Sequence, residues 1–486
     1  MSSRSDTEKP RSEKPRSDSR PGMLLALALA VLGYQLNATM LSPALPDVIH
    51  RLHTTSGLVG LSQTLFFLFA AIGQVTLARL SDYRGRKPMM LLACLLVIVG
   101  DIACAAAPDI GVFLAGRVLQ GFSAALFTLA FLTLNDTLSP KGFGRAAGII
   151  TAVNGGFAGV DAVFGGRLAD TVGFRGIFLA GLAVSVAGTL AVRKTVPATP
   201  PTATGRMDWR GTSFLGLGLT GLLIGLAQGQ SWGWLSAPTA GCVLGGLVGL
   251  VAFVLVSRGN RDAIIDTGLL ASRRAWPLLA TTVLTLAGAF GALTLTVPLF
   301  TQDPHAAYGL NATESALLFA TPAQAIGVIG APLAGILGPR IGWRRSVIIG
   351  SAGSLIAFAV AVPFMTSQWI LVAALAVLGI TYNGLSITAI NALAVVSAPA
   401  DQKGALPGLN GACFGIGASL GTALASALIT AAGSVGAHGS GLYATAMWAS
   451  LVLLAAAMVT TLAIKAAPKG VTGAEPAREV VPALHM

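Results

Sequence analysis

The chain has 486 residues, 54% of them apolar and only 10% charged, with a formal net charge of +12. Soluble domains carry roughly 25% charged residues, so lipid rather than water must be the solvent for most of this surface; the mean hydropathy of +0.76 says the same. The basic residues fall in short clusters between apolar runs, as in loops at a membrane face, which argues against a nucleic-acid binder.

Residues 1–22 are polar and repeat one motif in tandem, Glu8 to Ser12 and Glu13 to Ser17. Such a segment cannot bury an apolar face and is expected to be a disordered cytoplasmic tail. The apolar stretch that follows, Met23 to about Pro43, is longer than a signal-peptide core of about 7–15 residues and reads as a retained first span. A membrane crossing takes about 20 apolar residues. On that basis fourteen helices are expected near 23–43, 57–79, 88–107, 110–134, 146–166, 174–192, 212–229, 237–257, 276–300, 315–337, 346–364, 369–395, 405–431 and 443–464. The runs are continuously apolar rather than alternating, which excludes a barrel. With the N-terminus inside, tails and inside loops hold 27 of the 31 lysines and arginines; Arg51, Arg167 and Arg175 fall outside and Arg117 within a helix. Basic residues gather on the cytoplasmic side, so both termini are expected there, in a multi-pass protein of the cytoplasmic membrane.

Two hydrophilic gaps, 193–211 and 258–275, flank the seventh and eighth helices. The expected organisation is a tail (1–22), an N-terminal six-helix bundle (23–192), a linker with two extra helices (193–275), a C-terminal six-helix bundle (276–464) and a cytoplasmic tail (465–486). Cys94, Cys104, Cys242 and Cys413 lie in apolar runs without a CxxC pair, and no histidine spacing suits a metal. Neither a disulfide framework nor a metal site is expected. No nucleophile, metal cluster or acid–base pair marks an enzyme.

The loop after the second helix reads ARLSDYRGRK (Ala78–Lys87), and the loop after the tenth reads GILGPRIGWRR (Gly335–Arg345). In both, a small residue precedes a glycine by seven positions and a basic pair follows. Internal symmetry of this kind marks secondary transporters. The first loop resembles the signature loop of the major facilitator superfamily, matching at Asp82, Gly85, Arg86 and Lys87. Arg117 to Gly121 resembles that family's R-x-x-Q-G motif, and Ala44 to Pro46 its A-L-P. Asp208, Trp209 and Gly211, with Ser231 to Trp234, look like the extra helix pair of the 14-helix drug:proton antiporter-2 group. Two positions depart from the pattern. Asp161 and Ala162 precede Gly165 and Gly166 where relatives carry a Gly-Pro element, and Asn37 stands where many relatives have an acid.

Ionisable residues within the membrane are functional candidates by default. Three remain after loops are set aside: Asp101, Arg117 and Asp161, at similar depths about 10 Å below the outer surface at ~1.5 Å per residue. Asp161 is the first candidate for a proton carrier, against a fixed pairing or a water-filled environment. Asp101 reads as a partner of Arg117. Asp82, Gly85, Arg86 and Lys87 are expected, by resemblance, to form a latch that breaks during the cycle; for the cations the alternative is topology alone. Gln35, Asn37, Gln63, Gln120, Asn154, Tyr382, Asn383 and Asn391 are candidates for lining a cavity, or for packing between helices.

The resemblance implies two rocking six-helix bundles with an extra helix pair, without cofactors, driven by a proton gradient and working as a monomer. Its substrate would be a small amphipathic antibiotic or toxic metabolite, exported for self-resistance or secretion; a β-lactam or other weak acid would suit Arg117. The alternative is a proton symporter importing a small solute.

Overall fold

In the computed structural model the described residues are 18–465, apart from 42–43, 55, 157–163, 166, 169–170, 204–206, 259, 261–266, 311, 400–401, 435 and 437. Long helices account for almost all of them: α1 Pro21–Thr39, α2 Ser56–Arg84, α3 Arg86–Ala106, α4 Ile110–Thr137, α5 Pro140–Gly156, α6 Phe174–Thr195 and α7 Trp209–Trp232. They continue with α8 Ala237–Ser257, α9 Trp276–Gln302, α10 Ala316–Ile341, α11 Trp343–Ala361, α12 Gln368–Val396, α13 Ala405–Ser434 and α14 Gly441–Ala463. Twelve of these are long and apolar enough, among the described residues, to cross a membrane. The two outside that set correspond to the expected spans at 146–166 and 212–229. Of these, α5 is described over only 17 residues, and α7 is helical over 24. The described residues therefore support a multi-pass protein with twelve crossings where the hydropathy pattern predicts fourteen.

The helices start and stop where the local chemistry dictates. Pro21 opens α1, where its missing N–H costs nothing. Asp109 caps α4 by accepting from the Val112 N–H at 3.0 Å, and Asp208 caps α7 through the Gly211 N–H at 2.9 Å. The α2–α3 and α10–α11 connections each turn on one glycine, Gly85 at φ 88° and Gly342 at φ 91°. Only glycine adopts that conformation without strain.

Helices α1–α6 pack as one bundle and α9–α14 as another, while α8 pairs with α7 and α7 rests against α2 and α13. One face of α8 exposes Leu244, Leu247, Val248, Val251 and Leu255, as a lipid-facing helix does. The halves are related in detail. Lys87, two residues after Gly85, donates to the Arg193 carbonyl at the end of α6 (2.8 Å). Arg344, two residues after Gly342, donates to the Ile464 and Leu462 carbonyls at the end of α14 (2.5 and 3.1 Å). Each cation thus satisfies orphan carbonyls at the end of the last helix of its own half. At the same spacing Pro339 stands for Asp82 and Trp343 for Arg86.

Three stretches of the second half, Ala292–Thr296, Ala316–Ala320 and Gly379–Ile387, are π-helical. The wider turn shifts side-chain register and recurs at functional sites.

Candidate functional site

Five helices converge on a buried polar network in the first half. Asp101, Arg117 and Gln120 are fully buried. One carboxylate oxygen of Asp101 accepts from the Gln120 amide at 2.8 Å, the other from the Ser185 hydroxyl at 3.1 Å. Arg117 donates through Nη1 to the Asn37 carbonyl at 2.9 Å and to Gln120 Oε1 at 2.8 Å. Its Nη2 donates to Gln63. The guanidinium lies 4.3 Å from the centre of the Phe66 ring, which stacks on Tyr34.

Asp101 and Arg117 were expected to pair, and the structure joins them differently. No ion pair within 4.0 Å connects them; Gln120 stands between, accepting from the cation and donating to the acid. A neutral amide can do both at once, which fixes its orientation. Asn37 enters through its carbonyl, and its side chain, which donates to Gly33, also faces the Asp101 carboxylate. Asp161 lies outside the described residues, as do Gly166, residues 1–17 and residues 466–486.

A second cluster closes one end of the bundle. Asp82, fully buried, accepts from Arg79 at 3.0 Å and from Arg86 at 2.7 Å. It also accepts from the backbone N–H of Gly404, just before α13, at 3.1 and 2.9 Å. Arg86 reaches Asp136 at 3.2 Å, and Lys403 meets the same carboxylate at 2.9 Å. This cluster therefore ties the two halves together. The chain between α6 and α7 lies over it: Thr202 and Ala203 donate their N–H groups to the Asp82 carbonyl at 2.8 and 3.0 Å.

Around that cluster the halves meet along two seams, and both tighten towards it. Along α2 and α13, a methyl on Gly404 would overlap the Ala78 carbonyl, and one on Gly408 would lie 2.9 Å from the Gln74 carbonyl. One on Gly415 meets only the Ala71 methyl at 3.8 Å. Along α5 and α10, Gly144 abuts Gly335 and Gly148 abuts Ala331, an antiparallel register. Two turns further that register brings Gly155 opposite Gln324, where a methyl on Gly155 would meet nothing within 4 Å. Close at one end and apart beyond mid-length, the seams enclose a space that opens away from Asp82. A cleft lies between α2, α7 and α13, lined by Gln63, Thr64, Phe67, Leu68, Leu223 and Ser419. Gln63 thus touches both the cleft and Arg117.

The remaining cavity candidates divide. Asn383 donates to Gln324 at 3.0 Å, and the Asn154 carbonyl oxygen is enclosed without a partner. Both sit where α5 and α10 part. Gln35 is buried against its own helix through Thr39, and Tyr382 is buried. Asn391 belongs to a closed network, donating to Ile387 and accepting from Asn410, which itself accepts from Thr282. Sequence reasoning passed over Ser185, Phe66, Asp136, Lys403 and Gln324. Lys403 entered only the topology count, and Gln324 was visible as a polar residue in an apolar run.

Two helical bundles in internal repeat, closed at one end and parted at the other around buried charge, make the architecture of a membrane transporter. The sequence model of the Major Facilitator Superfamily matches residues 27–421 and 304–484, and the chain belongs to that family of transporters, not enzymes. It is 34% identical over 412 residues to the uridine/deoxyuridine transporter of Lactococcus lactis subsp. cremoris, covering 82% of this chain and 85% of the relative. It is 26% identical to the multidrug resistance protein Stp of Mycobacterium tuberculosis, covering 84% and 75%. To the tetracenomycin C resistance and export protein of Streptomyces glaucescens it is also 26% identical, again covering 84% and 75%. Among solved structures, the human organic anion transporter MFSD10 superposes with a TM-score of 0.62 at 16% identity, covering 90% of this chain and 100% of that one. The proton:xylose symporter XylE gives 0.61 at 13%, covering 90% and 94%. At such identities the likeness concerns the fold.

Proposed function

We propose that this chain is a proton-coupled transporter of a small heterocyclic solute, working by alternating access with the Asp101–Gln120–Arg117 network as its coupling site. The observation that carries the reading is the burial of Asp101 among the neutral donors Gln120 and Ser185, without an ion pair. A carboxylate so placed can take up a proton without breaking a salt bridge, and its protonation reaches Gln63, on the open cleft, through Gln120 and Arg117. Intramembrane acids with such access mark proton relays. Asp161 is a second carboxylate for the same relay.

In this reading α5 and α7 also cross the membrane, giving fourteen spans with both termini cytoplasmic, and the Asp82 latch closes the cytoplasmic face of a monomer. The 34% identity to a uridine/deoxyuridine transporter supports a nucleoside-like solute. Export of an amphipathic antibiotic or toxic metabolite is the second reading, supported by the 26% identity to the tetracenomycin C exporter and to Stp.

The test is transport in proteoliposomes with an imposed proton gradient of either sign, offering labelled uridine and a panel of amphipathic antibiotics. Movement that follows the gradient and stops with a protonophore supports coupling. Movement indifferent to both removes it, and the sign of the productive gradient distinguishes export from import.

A further inference from the structure

The level at which α5 and α10 part company holds polar groups that neither the latch nor the proton network uses. Gln324 projects from α10 and Asn383 from the π-helical stretch of α12. They share one hydrogen bond, Asn383 Nδ2 to Gln324 Oε1 at 3.0 Å. That bond leaves Asn383 Oδ1 as an acceptor and Gln324 Nε2 as a donor with no further partner among the described residues. Beside them Gly327 lets α10 pack closely on α12: a methyl there would press on Asn383 Cβ at 3.1 Å. On the facing helix Gly155 offers empty space, and one residue earlier the Asn154 carbonyl oxygen is enclosed and unpaired.

A polar group left unpaired between membrane helices is costly. Amides that serve packing alone saturate one another, as Asn391 and Asn410 do deeper in the same half. Gln324 and Asn383 instead keep a donor and an acceptor side by side at the edge of the open space. We propose that this amide pair reads the lactam or imide edge of a planar heterocycle, an N–H next to a C=O as in a pyrimidine base. The base N–H donates to Asn383 Oδ1 and its carbonyl accepts from Gln324 Nε2. The open space at Gly155 admits the flat ring. This assignment rests on the reading of the chain as a carrier of heterocyclic solutes and locates its specificity where α10 and α12 face α5, apart from the proton network.

The experiment uses the full chain in nanodiscs, with equilibrium binding of radiolabelled uridine and competition by N3-methyluridine, in which the imide N–H is blocked. A site built to hydrogen-bond this edge rejects the methylated analogue by about tenfold or more. In Gln324→Leu and Asn383→Leu the uridine affinity falls by about tenfold and the preference over N3-methyluridine disappears, while melting temperature stays near that of the parent. If uridine binds and N3-methyluridine binds equally well to the unaltered chain, the amide-edge assignment is overturned without recourse to variants. If the preference survives in both leucine variants, another part of the molecule reads the base. If neither uridine nor any other pyrimidine binds, the nucleoside-like reading itself fails, a result separate from the two before it.

Discussion

The backbone N–H of Gly404 donates to both carboxylate oxygens of Asp82, at 3.1 and 2.9 Å, across the boundary between the two halves. With Arg79 and Arg86 also on that carboxylate, one buried acid holds two cations of its own half and the start of a helix in the other. Removing one partner of such a buried cluster costs about 3–5 kcal/mol. Asp82→Asn is therefore expected to loosen the latched end. Spin labels at Lys141→Cys and Arg345→Cys, on a background without the four native cysteines, should report a distance distribution shifted to longer separations. A distribution unchanged from the parent would mean that Asp82 is not the latch.

Asp101→Asn keeps the shape and one acceptor of the side chain but cannot lose a charge. Gradient-driven accumulation in proteoliposomes should disappear, while exchange of substrate against substrate continues. The same assay on Asp161→Asn ranks the two carboxylates. Full accumulation by Asp101→Asn would move the coupling role elsewhere.

The seam between α5 and α10 closes on bare backbone, with Gly144 against the Gly335 carbonyl and the Pro339 ring. Gly144→Val places a branched side chain where none fits, and overpacking of this kind costs about 1–3 kcal/mol. The variant should fold, because the clash exists only when the latched end is shut, yet transport several-fold more slowly. Spin labels on that end should show the closed population reduced.

Outside the membrane, Asp303 anchors the segment after α9. The His305 N–H, first, and the Tyr443 hydroxyl hold its carboxyl below the ordinary carboxylate range. A depressed value in the folded state means that the contact stabilises above the ordinary carboxylate pKa and is lost as pH falls through the folded one. Melting temperatures of parent and Asp303→Asn between pH 7 and pH 3 should differ most at neutral pH and converge in acid. A gap independent of pH would show that the charge plays no part.

Much of this was legible in the sequence. Asp82 and Gly85 are marked by an acid that topology does not explain and by a backbone that needs glycine; the structure gives Asp82 and Lys87 specific partners and makes Gly85 the turn between them. Depth counting brought Asp101 and Arg117 to one level, because rise per residue is fixed in a helix. It could not show that Gln120 stands between them, since which side chains meet depends on helix rotation. Gln324 and Asn391 show the remaining gap. Both are lone amides in apolar runs, and only packing reveals that one borders open space while the other is closed on Asn410 and Thr282.

Where the first half closes with Asp82 and Arg86, the repeat supplies Pro339 and Trp343, and Trp343 packs edge-on against Phe143 at 6.1 Å. The two locks on one face thus answer to different solution conditions. Added salt screens charges, the partly exposed Lys403–Asp136 pair most of all, whereas apolar contact is strengthened by salts such as sulfate and weakened by cooling. A change of medium that weakens one of these contacts therefore leaves the other in place.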